Sequence, residues 1–367
     1  MMSLEITVEP GSKWVLGVDG GGSKTLAWIA RLDSALDVRA IRPVSDAVPN
    51  LTILGRGEAG PSNPRSVGFE VAFSNLELAI GAARRELQTT AATSATATSA
   101  TATSATGVVI AVACFGLAGA GREAEQKRIQ EWAIQNAIAE RVIVTDDVEP
   151  LRLAAEYEQQ IASASETITK SDAWDQSVTL VVGTGSIACG RNRQGGSIRV
   201  GGWGYLLGDE GSGFSIGLAA LQSICQTHDR NQPMSAFQHS SLQLLGCMSA
   251  SELVGFVYQW PLPRDRIAKL SRVVVEFSEM DEVARKIIAD AIRAMASLVA
   301  LACNRLALGN EEYSLALSGG VLNHHPALVE HLQAELGALR CSPMSSHVIA
   351  EPSYGPLLVA IDAAMRL

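Results

Sequence analysis

Two glycine-rich turns, one in each half of the chain, constrain the fold more than any other feature. Each lies between two short apolar runs, as expected for a β-hairpin with a polar tip. The first turn is Asp19-Gly-Gly-Gly-Ser-Lys-Thr25, and the second is Gly183-Thr-Gly-Ser186. Segments with the hydrophobic spacing of strands and helices follow both hairpins. Because one plan occurs twice, we predict that each half is an α/β unit with a mainly parallel sheet.

Length and composition indicate a globular chain of two domains. The chain has 367 residues and a net charge of −9, which argues against a nucleic-acid-binding protein with a basic surface. Apolar runs such as Gly107–Cys114 are too short to span a bilayer, and the N-terminal residues lack the features of a signal peptide. The cysteines form no C-x-x-C pair, which favours reduced thiols over a metal site. We therefore expect a cytoplasmic protein without nucleic-acid or membrane partners.

A segment of low complexity interrupts the first half of the chain. Residues 89–106 are almost entirely Ala, Thr and Ser. They offer no large side chain for burial, so we interpret them as a solvated insert between a helix at Ser74–Leu87 and a strand at Val108–Cys114. The predicted domains are residues 1–147, which contain the insert, and residues 148–367.

Both hairpin turns are candidates for binding the phosphates of a nucleotide. Glycines allow backbone N–H groups to approach an anion closely, and hydroxyl or ammonium side chains add further donors. The candidate contacts are Gly21, Gly22, Ser23 and Lys24 in the first turn and Thr184, Gly185 and Ser186 in the second. Asp19, beside the first turn, is placed to hold Mg²⁺ through water. One such turn is also compatible with a purely structural hairpin, but two in a duplicated chain favour a nucleotide.

Two adjacent carboxylates, Asp146 and Asp147, follow the apolar strand Val142–Thr145. Sheets of parallel strands place ligands at the carboxyl ends of the strands, where a carboxylate can accept a proton from a hydroxyl. We assign this role to Asp146. Val148 and Leu151 would then lie on the inner face of the following helix, and Asp147 would cap that helix. In the alternative interpretation both carboxylates only cap the helix.

Three further segments are candidates for contacts with a sugar or a base. Gly201–Gly213 is too rich in glycine for a stable helix or strand. Its Asp209 can accept hydrogen bonds, and its Trp203 suits either stacking on a sugar or burial in the core. Ser318-Gly319-Gly320 follows a strand and would let a base and ribose lie against the backbone. A turn between two prolines presents Asn63.

Together these motifs resemble the N-acetylglucosamine kinase-like branch of the actin, sugar kinase and heat-shock-70 ATPase superfamily, also described as the BadF/BadG/BcrA/BcrD ATPase family. In chain order the motifs are LGVDGGGSKT, GPSNP, CFGLAGAG, VIVTDD, VVGTGSIACG, GGWGYLLGDEGSG, LALSGGVL and EPSYGPLL. The resemblance implies an α/β fold of two ribonuclease-H-like, actin-like ATPase domains around a central cleft. It also implies that a terminal helix, at about residues 355–367, packs on the first domain.

The same resemblance implies an activity and roles for particular residues. The implied reaction is ATP-dependent phosphorylation, with Mg²⁺, of a hydroxyl of an amino sugar such as N-acetylglucosamine or glucosamine. Asp146 would be the base for the sugar 6-hydroxyl, and Asp19 would lie at the metal. The implied sugar contacts are Asn63, Asp146, Gly202, Trp203, Gly204 and Asp209. The implied nucleotide contacts are Gly21, Gly22, Ser23, Lys24, Thr184, Gly185, Ser186, Ser318, Gly319 and Gly320.

Two other functions are compatible with the sequence. The first alternative is an ATP-driven activator of a dehydratase or reductase, which needs cysteines placed to hold an iron–sulfur cluster. The second is a sugar sensor without catalytic activity. A homodimer is the expected assembly.

Overall fold

The computed structural model describes residues 13–32, 51–94, 108–162 and 174–367. The chain divides into two compact units, residues 1–171 with 351–367 and residues 172–350. Each unit contains one five-stranded sheet of mixed direction with helices packed on it. The α/β class expected from the sequence is therefore confirmed. The expectation of a mainly parallel sheet is wrong, because the strand pairings of each sheet are half parallel and half antiparallel. The predicted domain limits, after residue 147, stay a prediction.

The sheet of the first unit has the strand order β3-β2-β1-β4-β5. Its strands are β1 (Lys13–Gly20), β2 (Thr25–Leu32), β3 (Leu51–Ala59), β4 (Ile110–Leu117) and β5 (Arg141–Thr145). The first three pair antiparallel, whereas β4 runs parallel to β1 and β5 runs parallel to β4. The predicted first hairpin is thus β1 with β2, and β1, β4 and β5 direct their carboxyl ends to one edge of the sheet.

Three helices alternate with the last three of these strands: α1 (Pro64–Ser94) follows β3, α2 (Glu123–Gln135) follows β4, and α3 (Leu151–Ala162) follows β5. Helix α1 is longer at both ends than the predicted Ser74–Leu87. Gly68 has φ 80° and ψ 161°, so a kink separates its first turn from the rest. This glycine and Pro64 interrupt the helical sequence pattern, which explains why the prediction began late. The helix also includes residues 89–94 of the predicted insert, and the rest of the insert lies outside the described residues.

Deleting residues 95–105 is expected to leave the melting temperature within about 5 °C of the wild type and the activity almost unchanged. The segment contains only Ala, Thr and Ser, and the free energy of loop closure changes slowly with loop length. Thermal unfolding of the deletion variant tests this. A larger decrease would mean that the segment packs on the fold.

The sheet of the second unit has the strand order β10-β9-β6-β7-β8. Its strands are β6 (Ser177–Val182), β7 (Ser186–Arg191), β8 (Ser197–Gly201), β9 (Ser314–Ser318) and β10 (Ser345–Val348). Strands β6, β7 and β8 pair antiparallel, and β9 runs parallel to both β6 and β10. The predicted second hairpin is β6 with β7, so both sheets begin with an antiparallel hairpin beside parallel strands.

The helices of the second unit are α4 (Gly213–Asp229), α5 (Ala236–Leu245), α6 (Glu252–Val257), α7 (Arg264–Phe277), α8 (Glu282–Leu306), α9 (Gly320–Asn323) and α10 (Pro326–Ala338). By length and composition alone, α8 is apolar enough to cross a membrane, but half of its most apolar window is buried. Met295, Val299 and Ala302 on α8 are fully buried in the core of the unit. Its apolar character is that of a core helix.

The last helix, α11 (Tyr354–Met365), belongs to the first unit. It packs on β1 and β4 through Leu357 and Ala360, which are buried with Val15 and Val112. The first unit therefore receives its last helix only after the chain has passed through the whole second unit.

Candidate functional site

The first predicted phosphate loop, residues 21–24, is the turn between β1 and β2. The N–H of Gly21 donates to the carbonyl oxygen of Lys24 at 2.9 Å and closes the turn. The carbonyl oxygen of Gly21 accepts the N–H groups of Ser62 and Asn63 at 3.1 and 3.2 Å. The base of the loop is thus fixed to the turn that presents Asn63, whereas the residues after Gly21 are exposed.

Two buried hydroxyls, those of Thr25 and Ser62, reinforce this attachment. The hydroxyl of Thr25 donates to the carbonyl oxygen of Gly60 at 2.7 Å and lies 2.8 Å from the hydroxyl of Ser62. Both side chains are completely buried. In the sequence, each of these hydroxyl residues lies inside a turn motif, which was the only indication of a role. The hydrogen bond between them joins residues 37 positions apart, so it could be recognised only in the fold.

Asn63 begins helix α1. Its Oδ1 accepts the N–H of Arg65 at 3.0 Å, as in a helix N-cap. Its Nδ2 makes no hydrogen bond with the part of the chain that the structure describes. The cap therefore fixes the side chain and leaves its amide donor available to a ligand.

Asp146 lies directly after β5, and one of its carboxylate oxygens caps the following turn. Oδ1 accepts the N–H of Val148 at 3.0 Å and that of Glu149 at 2.8 Å. Oδ2 forms no hydrogen bond to any residue within the described ranges. One oxygen thus orients the carboxylate, and the other is available to accept a proton.

Asp146 therefore caps the turn that precedes α3, since residues 148 and 149 lie before the first residue of that helix, Leu151. The role of Asp147 as cap of α3 stays a prediction. A capping side chain accepts N–H groups two and three residues ahead, and here the turn begins immediately at the end of the strand. Val148 and Leu151 are buried as predicted, at 1% and 4% exposed, but Val148 lies in the turn before α3 and only Leu151 is part of the helix.

Asp19, the predicted metal contact, lies at the end of β1 in acidic surroundings. Burial raises the pKa of its carboxyl group to about 7, the negative charges of Asp147 and Glu351 contribute to the increase, and Lys24 opposes it. Asp147 and Glu351 were not selected from the sequence for this role. A cation would offset the charge of these carboxylates, so the residues present fit one.

The ligands for such a cation would not come from the protein alone. Within the described ranges, no group of three or more His, Cys, Asp or Glu side chains is arranged to hold a metal ion. A cation beside Asp19 would therefore take most of its ligands from water and phosphate oxygens, which is typical of Mg²⁺ at nucleotide sites.

The second predicted phosphate loop joins β6 to β7 and is fixed by the start of α4. The N–H of Gly183 donates to the carbonyl oxygen of Gly185 at 2.9 Å. The carbonyl oxygen of Gly183 accepts the N–H of Gly213 at 2.8 Å, and that of Thr184 accepts the N–H of Phe214 at 3.3 Å. The first turn of α4 therefore determines the position of this loop.

Asp209 lies against the same loop. The residue is 4% exposed and has φ 61°, a left-handed conformation uncommon outside glycine. Its Oδ1 accepts the N–H of Ser186 at 3.4 Å, and the hydroxyl of Ser186 donates to the carbonyl oxygen of Glu210 at 2.7 Å. The predicted sugar contact is thus joined to the predicted phosphate loop by hydrogen bonds.

Trp203 lies in the loop before Asp209, between Gly202 and Gly204. It is 71% exposed, so the interpretation of Trp203 as a core residue is wrong. An exposed indole is available for stacking on a ligand.

The turn Ser318-Gly319-Gly320 packs beside the second phosphate loop. Gly319 has φ 103°, and a Cβ atom on this residue would lie 2.4 Å from the carbonyl oxygen of Val182. A Cβ atom on Gly320 would meet no atom within 4 Å. One glycine is therefore required by the backbone, and the other faces open space.

The candidate residues form two groups, one in each unit. Asp19, the first loop, Asn63 and Asp146 lie in the first unit. The second loop, the segment from Gly202 to Asp209 and the turn at Ser318–Gly320 lie in the second.

Residues 16–351 match the BadF/BadG/BcrA/BcrD ATPase family. The chain belongs to this family. The predicted family membership is thereby confirmed, and the hydrogen-bonded loops described above are features of a BadF/BadG/BcrA/BcrD ATPase.

Curated relatives match this ATPase over most of their length. An N-acetylmuramic acid/N-acetylglucosamine kinase of Clostridium acetobutylicum is 28% identical over 314 residues, 85% of this chain and 86% of the relative. An N-acetyl-D-glucosamine kinase of Dictyostelium discoideum is 26% identical over 353 residues, 95% of this chain and 98% of the relative.

Solved structures share the fold. A candidate N-acetylglucosamine kinase from Chromobacterium violaceum has a TM-score of 0.61 at 20% identity, over 96% of this chain and 100% of that one. Another, from Porphyromonas gingivalis, has a TM-score of 0.62 at 18% identity, over 94% of this chain and 97% of that one. These similarities confirm the predicted fold class.

Proposed function

We propose that this ATPase is a kinase that transfers the terminal phosphoryl group of ATP to the 6-hydroxyl of an amino sugar, such as N-acetylglucosamine or glucosamine. The observation that carries the proposal is the carboxylate of Asp146. Its Oδ1 is fixed by two backbone N–H groups at 3.0 and 2.8 Å, which leaves Oδ2 as a proton acceptor. The names of both curated relatives describe kinases of amino sugars.

Phosphoryl transfer requires alignment, charge neutralisation and a proton acceptor more than covalent catalysis. Asp146 accepts the proton of the attacking sugar hydroxyl. The N–H groups and side chains of residues 21–24 and 184–186 bind the phosphates, and residues 318–320 contact the adenosine. Asp19 would hold Mg²⁺, which when bound neutralises part of the phosphate charge.

Sugar recognition requires donors and acceptors in fixed positions. Asn63 contributes its Nδ2 donor, because its Oδ1 is used by the helix cap. Asp209 accepts hydrogen bonds from sugar hydroxyls, and Trp203 contributes an exposed aromatic face. Gly202 and Gly204 complete the proposed sugar contacts. The cytoplasmic location and the homodimer stay predictions.

A substrate screen tests the proposal. Purified protein is supplied with ATP, Mg²⁺ and one of N-acetylglucosamine, glucosamine, N-acetylmuramate or glucose, and ADP release is compared with a control without sugar. The proposal expects sugar-dependent ADP release with at least one amino sugar. Iron analysis of anaerobically purified protein is the parallel control, because stoichiometric iron with ADP release independent of sugar would favour the activator of a dehydratase or reductase instead.

Gly320→Ala is expected to raise the KM for ATP by about tenfold without lowering the melting temperature. The added methyl group would contact no protein atom within 4 Å, so the fold should tolerate it. It would project into the space that the proposal gives to the adenosine and so weaken ATP binding. Gly319→Ala is the matched comparison, and it should lower the melting temperature, because it forces alanine into φ 103° against the backbone of Val182. An unchanged KM for ATP in Gly320→Ala would place the adenosine elsewhere.

A further inference from the structure

The carboxylate of Asp209 is buried, and burial disfavours its negatively charged form unless neighbouring groups stabilise the charge. The groups that face it are the N–H groups of Ser186 and Gly204, the guanidinium group of Arg264 and the carboxylate of Glu210. Burial raises the pKa of Asp209, the N–H of Ser186 and the charge of Arg264 lower it, and Glu210 raises it. Within the described ranges, Arg264 supplies the positive charge at this carboxylate.

Arg264 is the first residue of α7, and its guanidinium group has a defined position. Nη2 lies 3.8 Å from Oδ2 of Asp209. The guanidinium carbon lies 4.5 Å from the centroid of the Tyr205 ring, and this ring packs edge-on against Phe214 with 5.3 Å between centroids. A planar guanidinium stacked on an aromatic ring keeps its orientation, which lysine would not. Tyr205 therefore supports Arg264 beside Asp209.

The next residue of α7 contacts the second phosphate loop. The hydroxyl of Thr184 donates to Oδ1 of Asp265 at 3.2 Å. Phe214, which supports Tyr205, donates its own N–H to the carbonyl oxygen of Thr184 at 3.3 Å. The start of α7 is thus joined both to the proposed sugar contact and to the proposed nucleotide loop.

The Arg264 side chain also carries a buried donor. Its Nε is buried and has no hydrogen-bond partner in the part of the chain that the structure describes. A buried donor without a partner is unfavourable by itself. The ion pair with Asp209 and the contact with the Tyr205 ring are favourable interactions that offset this cost.

We propose that Arg264 is a positioning residue, which keeps the carboxylate of Asp209 ionised and oriented to accept hydrogen bonds from the sugar. This inference rests on the proposed function, in which Asp209 binds the amino sugar. An ionised carboxylate accepts hydrogen bonds at both oxygens. A protonated carboxyl group has an O–H donor in place of some of these acceptor sites, so it can accept fewer hydrogen bonds from the sugar. Arg264 acts through Asp209 and is not itself proposed to touch the substrate.

Kinetics of Arg264→Gln, Arg264→Lys and Arg266→Gln test the role. Arg266 is the matched control, because it lies on the same helix with its guanidinium carbon 4.5 Å from the centroid of Phe256 and donates to the carbonyl oxygen of Leu245 at 2.7 Å. Arg264→Gln should raise the KM for sugar about tenfold and change kcat and the KM for ATP less than about threefold. Arg264→Lys should restore part of the loss, and Arg266→Gln should keep the wild-type values.

The pH dependence separates positioning from simple structural damage. Removing a positive neighbour raises the pKa of Asp209 further, so Asp209 becomes protonated at a higher pH. The acid limb of kcat/KM for sugar should therefore move to higher pH by about half a unit or more in Arg264→Gln and stay in place in Arg266→Gln. If the acid limb and the KM for sugar match those of Arg266→Gln, the positioning role is wrong.

A double-mutant cycle tests the ion pair without any substrate. Melting temperatures of wild type, Arg264→Gln, Asp209→Asn and the double variant are compared at pH 8. Coupling is expected, with a smaller effect of Arg264→Gln when Asp209 is already replaced. Additive effects would overturn the inference. Coupling in a protein that phosphorylates no amino sugar would retain the ion pair but remove the proposed function and with it the positioning role.

Discussion

Asp146→Asn is expected to lower turnover about 10²–10⁴-fold, the usual effect of losing a general base. Asparagine has the same size, and its amide oxygen can still accept the N–H groups of Val148 and Glu149, which Oδ1 accepts in the wild type. The variant should therefore remain folded and bind sugar nearly normally. Steady-state turnover combined with calorimetric titration of the sugar separates the loss of proton transfer from a loss of binding.

Asp147→Asn is the matched control for this experiment. Asp147 precedes the same turn and is not the residue that caps Val148 and Glu149. Its replacement removes one negative charge near Asp19 and should reduce turnover far less. If Asp147→Asn is inactive and Asp146→Asn is active, the base has been assigned one residue too early. If both variants are active, the proposed kinase mechanism is wrong.

Asp19→Ala is expected to lower turnover roughly 10²–10⁴-fold, equivalent to several kcal/mol of transition-state stabilisation. The reason is the position of Asp19 beside the first phosphate loop, among the carboxylates of Asp147 and Glu351. Removing one of several neighbouring negative charges should not lower the melting temperature measured without metal. Near-normal turnover of this variant at saturating Mg²⁺ would remove Asp19 from the site.

Local patterns in the sequence predicted the parts of the fold that depend on residues close together in the chain. Both hairpins were predicted because each glycine-rich turn lies between its own two strands. The class of each unit followed from strands alternating with helices. The start of α1 was missed because Gly68 breaks the helical spacing, although Asn63 at the true start is a typical capping residue.

Long-range contacts could not be predicted in the same way. Arg264 lies 55 positions after Asp209, and nothing in the local sequence of α7 marks it as an ion-pair partner. Glu351 reaches the surroundings of Asp19 only because the chain returns to the first unit at its end. The turn between β5 and α3, in which Asp146 accepts the N–H groups of Val148 and Glu149, is a local detail that hydrophobic spacing does not resolve.

The central claim is phosphoryl transfer to the 6-hydroxyl of an amino sugar, and the most direct test is the structure of the product. The protein is incubated with ATP, Mg²⁺ and N-acetylglucosamine, and the products are analysed by ³¹P and ¹³C nuclear magnetic resonance. We expect a sugar phosphomonoester whose phosphorus couples to carbon 6, formed in equal amount with ADP. Inorganic phosphate and ADP without a sugar phosphate, for this and every other amino sugar supplied, would contradict the account.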